Sequence, residues 1–130
     1  MGATENAARI RDGYKAFNAG DIDALTALFA EDVVWHFPGT SKLAGDHIGR
    51  DATLAVLGQY GAASGGTLQA TPVDVMASDE RVTGWARDTA TNATGTLDVN
   101  SIVIFTMRDG KITEALHIVD DQAALDAFLA

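Results

Sequence analysis

Three histidines carry most of the chemical potential of this chain. His117 lies in a segment, Lys111 to Val119, whose side chains alternate between two faces, so Thr113, Ala115, His117 and Val119 share one of them. An imidazole near its ordinary pKa of ~6.5 exchanges protons at neutral pH, as an enolisation, aldol or hydrolytic step requires. His117 is therefore the first candidate for an acid/base group. His36 stands between Trp35 and Phe37, and strict alternation turns it away from those two aromatics; only a bulge near Pro38 would bring it to their side as a polar contributor. His47 sits in a polar loop after Gly45 and reads as an exposed loop histidine.

A second polar group is Arg87-Asp88, adjacent on one strand, so that one side chain can face inward and the other must face outward. Pairing of Arg87 with a surface carboxylate is the expected role, with Arg87 kept as a second polar contributor. Asp98, Asn100 and Ser101 follow on the next strand, where Ser101 shares a face with Val103 and could add a hydroxyl to an inner surface. Tyr14, Trp35, Phe37, Tyr60, Phe105 and Met107 could line an apolar pocket for a flat organic ligand, the tyrosine hydroxyls serving as donors, although core packing is the default for each. No HxH, HxxxH or HExxH spacing occurs, so no metal is expected. No phosphate loop, dinucleotide fingerprint or GxSxG elbow occurs either, and no cofactor is expected.

The elements that must position these groups follow from periodicity. Thr4 to Asn18 repeats its apolar residues at helical spacing and stops at Gly20. Asp21 caps a short amphipathic helix over Ile22 to Phe29. Val33 to Phe37 is β-branched and aromatic and ends at Pro38-Gly39, which predicts a strand followed by a polar loop. Asp51 caps a third helix containing Leu54, Val56, Leu57 and Tyr60, closed by Gly65-Gly66. Thr67–Ala77, Arg81–Thr91, Leu97–Met107 and Lys111–Val119 predict four strands, with turns at Ser78-Asp79, Asn92 to Gly95 and Asp109-Gly110. Asp121 to Leu129 predicts a brief terminal helix. The order ααβαββββα implies an α+β domain with helices on one face of a bent sheet, and an incompletely filled cone of that kind leaves a cavity.

Length and composition agree with one domain over residues 1–130: 47% hydrophobic and 21% charged residues are ordinary for a folded globular chain. The net charge of −9 would repel both a phosphate backbone and an anionic membrane, so neither nucleic acid nor membrane is an expected partner. There is no cysteine, which removes disulfides and thiolate chemistry together. No apolar run reaches the ~20 residues of a membrane span and the first residues lack a signal-peptide layout, so a soluble, unprocessed, cytoplasmic protein is expected.

Tyr14-Lys15-Ala16-Phe17-Asn18-Ala19-Gly20-Asp21, then Ala24-Leu25 and Leu28-Phe29-Ala30-Glu31-Asp32-Val33-Val34-Trp35, closely resembles the opening of SnoaL-like proteins in the NTF2-like superfamily. Gly49-Arg50-Asp51-Ala52 and Arg108-Asp109-Gly110-Lys111-Ile112-Thr113-Glu114 fit the same family. The resemblance implies an NTF2-like cone: a curved, mostly antiparallel sheet with the three helices of the N-terminal half on its concave face. It does not select a reaction, because the superfamily holds polyketide cyclases, ketosteroid isomerases, epoxide hydrolases, dehydratases and noncatalytic binding domains. Phe37 stands where the isomerases carry their general-base aspartate, Val103 is near their acidic oxyanion donor, and their helix-one tyrosine maps one residue before Tyr14. His117 stands where SnoaL-like cyclases carry a pocket carboxylate, which also implies that its face is the pocket face. The Asp-Arg-Asp set of the epoxide hydrolases is not matched.

The expected function is therefore cofactor-independent acid/base chemistry on a small apolar carbonyl compound, with His117 catalytic. Tyr14, Trp35, Phe37, Tyr60, Ser101, Val103, Phe105 and Val119 are the expected binding residues. A noncatalytic hydrophobic-ligand-binding domain and an epoxide hydrolase-like activity are the alternatives. Sheet faces often pair in this superfamily, so the resemblance also implies a homodimer.

Overall fold

The computed structural model describes residues 2–130 and contains four helices and one six-stranded sheet. Helix α1 (Ala3–Ala19) ends where Gly20 adopts the left-handed conformation, φ 68°, and the Asp21 N–H reaches back to the Ala16 carbonyl. Asp21 caps α2 (Ile22–Leu28) by accepting from the Ala24 N–H at 3.1 Å. The helix stops one residue short of the expected Phe29, which instead opens β1 (Phe29–Phe37) with no intervening loop.

The polar stretch after Pro38 contains an element that its composition hides. Gly45–Ile48 forms β2, antiparallel to β1, so the observed order is ααββαββββα. With four residues and no buried side chain among Gly45, Asp46 and Ile48, it lacks the alternation by which strands are read. Gly49, at φ 94°, makes the corner into α3 (Arg50–Ala63) and occupies the N-cap position. Asp51 is therefore not the cap; it sits inside the first turn, where a carboxylate still complements the helix dipole.

Four longer strands complete the sheet: β3 (Gln69–Ala77), β4 (Arg81–Asn92), β5 (Gly95–Arg108) and β6 (Lys111–Val119), followed by α4 (Gln122–Phe128). The sheet order is β2-β1-β6-β5-β4-β3, antiparallel except where β1 runs parallel to β6. The β5–β6 hairpin turns on Asp109-Gly110 with φ of 52° and 76°, the paired positive values a tight hairpin demands. Alternation is clean on β4 and β5: Val82, Ala86, Asp88 and Ala90 point inward, as do Leu97, Val99, Ser101, Val103, Phe105 and Met107. Beneath the helices these residues join Ile10, Leu25, Phe29, Trp35, Leu57 and Ile112 in one apolar core.

Candidate active site

The inner face of β4 is built from small residues. Gly84 leaves the room into which Tyr14 of α1 leans; a Cβ there would lie 2.2 Å from the Tyr14 hydroxyl oxygen. A cavity of about 70 Å3 lies between α1, α2, α3 and the sheet. Its wall is mostly aliphatic and aromatic, with polar atoms from Tyr14, Trp35, Tyr60, Asp88, Ser101 and His117.

His117 projects into this wall and is 4% exposed. Ala115 and Val119 share its face, but Thr113 does not: a register shift opposite Thr106 and Met107 turns Ile112 inward, and the Thr113 hydroxyl donates to the Thr106 carbonyl at 3.3 Å. The His117 ring is boxed by Trp35, Phe37 and Tyr60, with centroids 5.8, 5.1 and 6.3 Å away. Burial disfavours the charged imidazole and pulls its pKa down to about 4, so the ring is neutral at pH 7.

Asp88 is the residue that sequence reasoning passed over. Of the Arg87-Asp88 pair it is the carboxylate that faces inward, 3% exposed, and burial drives its pKa from 3.8 up to about 7 against the opposing pull of hydrogen bonds from Tyr60 and Ser101. The Tyr60 hydroxyl donates to Asp88 Oδ2 at 3.0 Å. Ser101 Oγ lies 3.1 Å from His117 Nε2. Its hydroxyl either accepts from Nε2–H or donates to Nε2, and in the second case the ring proton stands on Nδ1. The parity of β4 was the available signal, because Val82, Ala86 and Ala90 mark Asp88 as inward and Trp85 marks Arg87 as outward.

Four buried polar atoms on residues of this wall make no hydrogen bond within the protein: Asp88 Oδ1, His117 Nδ1, Tyr14 Oη and Trp35 Nε1. Buried groups are almost always paired, so four around one small space mark it as built for a polar guest. Burial, and next the charge of Asp88, push the Tyr14 phenol upward, as they do Tyr60, so both remain proton donors.

Tyr14, Trp35, Tyr60, Ser101, Val103, Phe105 and His117 all line the cavity. Phe37 and Val119 are buried in the core outside that wall, Phe37 backing the His117 and Tyr60 rings. His36 and Arg87 lie on the outer face of the sheet, away from the cavity. His36 bridges Asp46 at 2.6 Å and Glu114 at 2.9 Å, and these bonds, Asp46 first, raise its pKa. Arg87 pairs with Asp98. His47, on β2 rather than in a loop, donates from Nε2 to the Leu43 carbonyl at 2.7 Å. Among the described residues no group of three or more His, Asp or Glu is arranged to hold a metal, and no helix is long and apolar enough to cross a membrane.

Comparison with known proteins places this geometry in a family. A SnoaL-like domain profile matches residues 10–115. Rv0034 of Mycobacterium tuberculosis, an uncharacterized protein, is 36% identical over 122 residues, 93% of each chain. Bal32a, from a soil-derived mobile gene cassette, is 42% identical, with 98% of each chain covered and a TM-score of 0.95. IdmH from Streptomyces antibioticus, described as "a putative polyketide cyclase", is 25% identical over 96% of this chain and 99% of its own, with a TM-score of 0.77. Fold and neighbours together support a ligand-binding or cyclase-type function.

Proposed function

Because the chain belongs to the SnoaL-like family and shares the NTF2-like fold, we propose that it is a cofactor-independent enzyme that moves a proton on a small apolar carbonyl compound in the inner cavity. Asp88 and His117 form its acid/base pair. The observation that carries this reading is the unpartnered Oδ1 of Asp88: a buried carboxylate oxygen on a residue that lines the cavity, in a group whose pKa of about 7 suits both accepting and returning a proton at neutral pH. Asp88 takes a proton from the carbon beside the carbonyl, and the electron pair moves onto oxygen to give an enolate. Tyr14, whose hydroxyl has no partner within the protein, is the donor available to that oxygen. Return of the proton to another carbon completes an isomerisation. Attack of the enolate carbon on a second carbonyl, with the proton passed to the new alkoxide, completes a cyclisation. His117, neutral and bonded to Ser101, adds its unpartnered Nδ1 to the polar atoms of the wall.

Exchange of α-hydrogens tests this without knowledge of the natural substrate. In D2O at pD near 7, the protein should accelerate loss of the 2-butanone α-proton signals over buffer, and Asp88→Asn should reduce that acceleration by about 10²-fold or more. No acceleration by the folded protein, or full acceleration by Asp88→Asn, would defeat the assignment. The mainly apolar lining, with Val103 and Phe37 at positions where the isomerases carry carboxylates, favours a second reading as a binding domain, and ketone binding without exchange is its signature.

The partner proposed for the outer face of the sheet is a second copy of the chain. Trp85, Ile102 and Ile118 lie in register across β4, β5 and β6, with Ile104 and Leu116 paired beside them. Trp85, Leu116 and Ile118 are exposed, and the row is bordered by the charged Arg87–Asp98 and His36–Glu114 pairs. An apolar centre with a charged rim is the composition of a self-associating face.

A further inference from the structure

Leu54, Leu57, Gly58 and Gly61 of α3 lie on neighbouring turns and form one wall of a second concavity, of about 350 Å3, whose other wall is the end of α1 and the start of α2. Two features of this groove are unexplained by the fold. Gly58 and Gly61 sit inside a helix with no positive φ, and a Cβ at either position would meet nothing within 4 Å. Each glycine weakens the helix by about 1 kcal/mol relative to alanine, and neither backbone geometry nor packing accounts for it. Across the groove Ile22 is 54% exposed, a large aliphatic surface left uncovered. The small residues keep open a space that the protein itself does not use.

The groove abuts the inner cavity: Phe17, Leu25 and Leu57 line both, so these side chains form a shared partition between the two spaces. At the inner end stand the unpartnered Asp88 Oδ1 and His117 Nδ1 on side chains more than nine-tenths buried. Size sharpens the point: at about 70 Å3 the inner cavity holds a few heavy atoms, far below the roughly 300–1,000 Å3 of ordinary small-molecule sites, whereas inner cavity and groove together reach that range. A molecule of ordinary size that presents its reacting group to Asp88 must place the rest of itself outside the inner cavity, and the groove is the larger of the concavities that share its lining residues.

Building on the proton-transfer reading, we propose that the substrate is an elongated, largely apolar carbonyl compound: its carbonyl end occupies the inner cavity and its body passes between Phe17, Leu25 and Leu57 to lie over Gly58 and Gly61. Specificity is then set by chain length and by the small residues of α3, while the chemistry is set by the inner polar atoms.

A series of straight-chain methyl ketones from 2-butanone to 2-decanone tests this. For the wild-type protein, titration calorimetry should show affinity rising roughly fourfold per added methylene once the chain outgrows the inner cavity, with the amide resonances of Gly58 and Gly61 shifting only for the longer members. Gly58→Leu, which fills the groove from a position with free space, should abolish that rise while leaving 2-butanone affinity within about twofold; Gly58→Ala should keep the rise. An undiminished rise in Gly58→Leu, amide shifts that ignore chain length, or no binding of any ketone would overturn the inference. The resonance shifts need no variant, so they decide the matter even if Gly58→Leu does not fold. A rising series with no α-hydrogen exchange keeps the groove and removes the reaction; exchange of 2-butanone with a flat series does the reverse.

Discussion

The Tyr60 hydroxyl donates to Asp88 Oδ2 at 3.0 Å, from a helix to a strand 28 residues on, and in doing so occupies one carboxylate oxygen while the buried Oδ1 is left without a partner. The bond also opposes burial: without it the pKa of Asp88 would stand higher still. The positioning residue and the proposed proton carrier are therefore separable by their pH behaviour.

Tyr60→Phe should move the pH dependence of ketone α-hydrogen exchange to higher pH while Asp88 remains able to react. It should also cost about 1–3 kcal/mol of stability, because a buried carboxyl loses a donor. Rates measured from pH 5 to 9, together with urea melts, check both; an unmoved profile would mean that the bond does not tune Asp88.

Stability against pH should expose the two buried groups separately. The native state holds the Asp88 proton from its ordinary 3.8 up to about 7, so folding binds extra protons in that window and this group's contribution is present below it and lost as pH rises through it. His117 is the reverse: its pKa falls from 6.5 to about 4, the unfolded chain binds more protons between those values, and stability is lost as pH falls through them. Between about pH 4 and 6.5 the two slopes oppose each other. Relative to wild type, Asp88→Asn should therefore gain stability on going from pH 4 to 7, and His117→Gln should gain it on going from 6.5 to 4, each by up to about 1.4 kcal/mol per pH unit. Urea melts at half-unit intervals give the differences; parallel curves for variant and wild type would contradict the burial of that group.

Gly84→Ala should destabilise the fold by about 1–3 kcal/mol, because the new Cβ meets the Tyr14 hydroxyl at 2.2 Å and two ring carbons at 3.0 Å. In a Tyr14→Ala background the same substitution should cost little. The double-mutant cycle measures the coupling directly, and additive costs would mean that the ring gives way freely.

For the outer face, Leu116→Glu and Ile118→Glu each place a charge in the centre of the apolar rows without touching the inner wall. If those rows hold a second copy, either variant should halve the mass seen by sedimentation equilibrium and leave the circular dichroism unchanged. A wild-type protein that sediments as a monomer at all concentrations would remove the proposal.

Much of the architecture was legible in one dimension, because its causes are local. Gly20 and Asp21 end one helix and begin the next through their own backbone and side-chain chemistry, and Asp109-Gly110 turns a hairpin because both residues take positive φ. Alternation on the strand ending at Val119 placed His117 with Ala115 and Val119, which share a buried face. What alternation cannot supply is volume and register. A bulge against Thr106 exchanged Thr113 for Ile112, β2 paired by backbone alone, and Phe37 and Val119 were taken into the core. Asp88 is buried under groups from other elements, among them Tyr60 of α3, which donates to its carboxylate. The chain by itself determined which residues share a face; the depth of burial of each, and hence its charge state, is a property of side chains brought together from distant segments, and only the packed structure decides it.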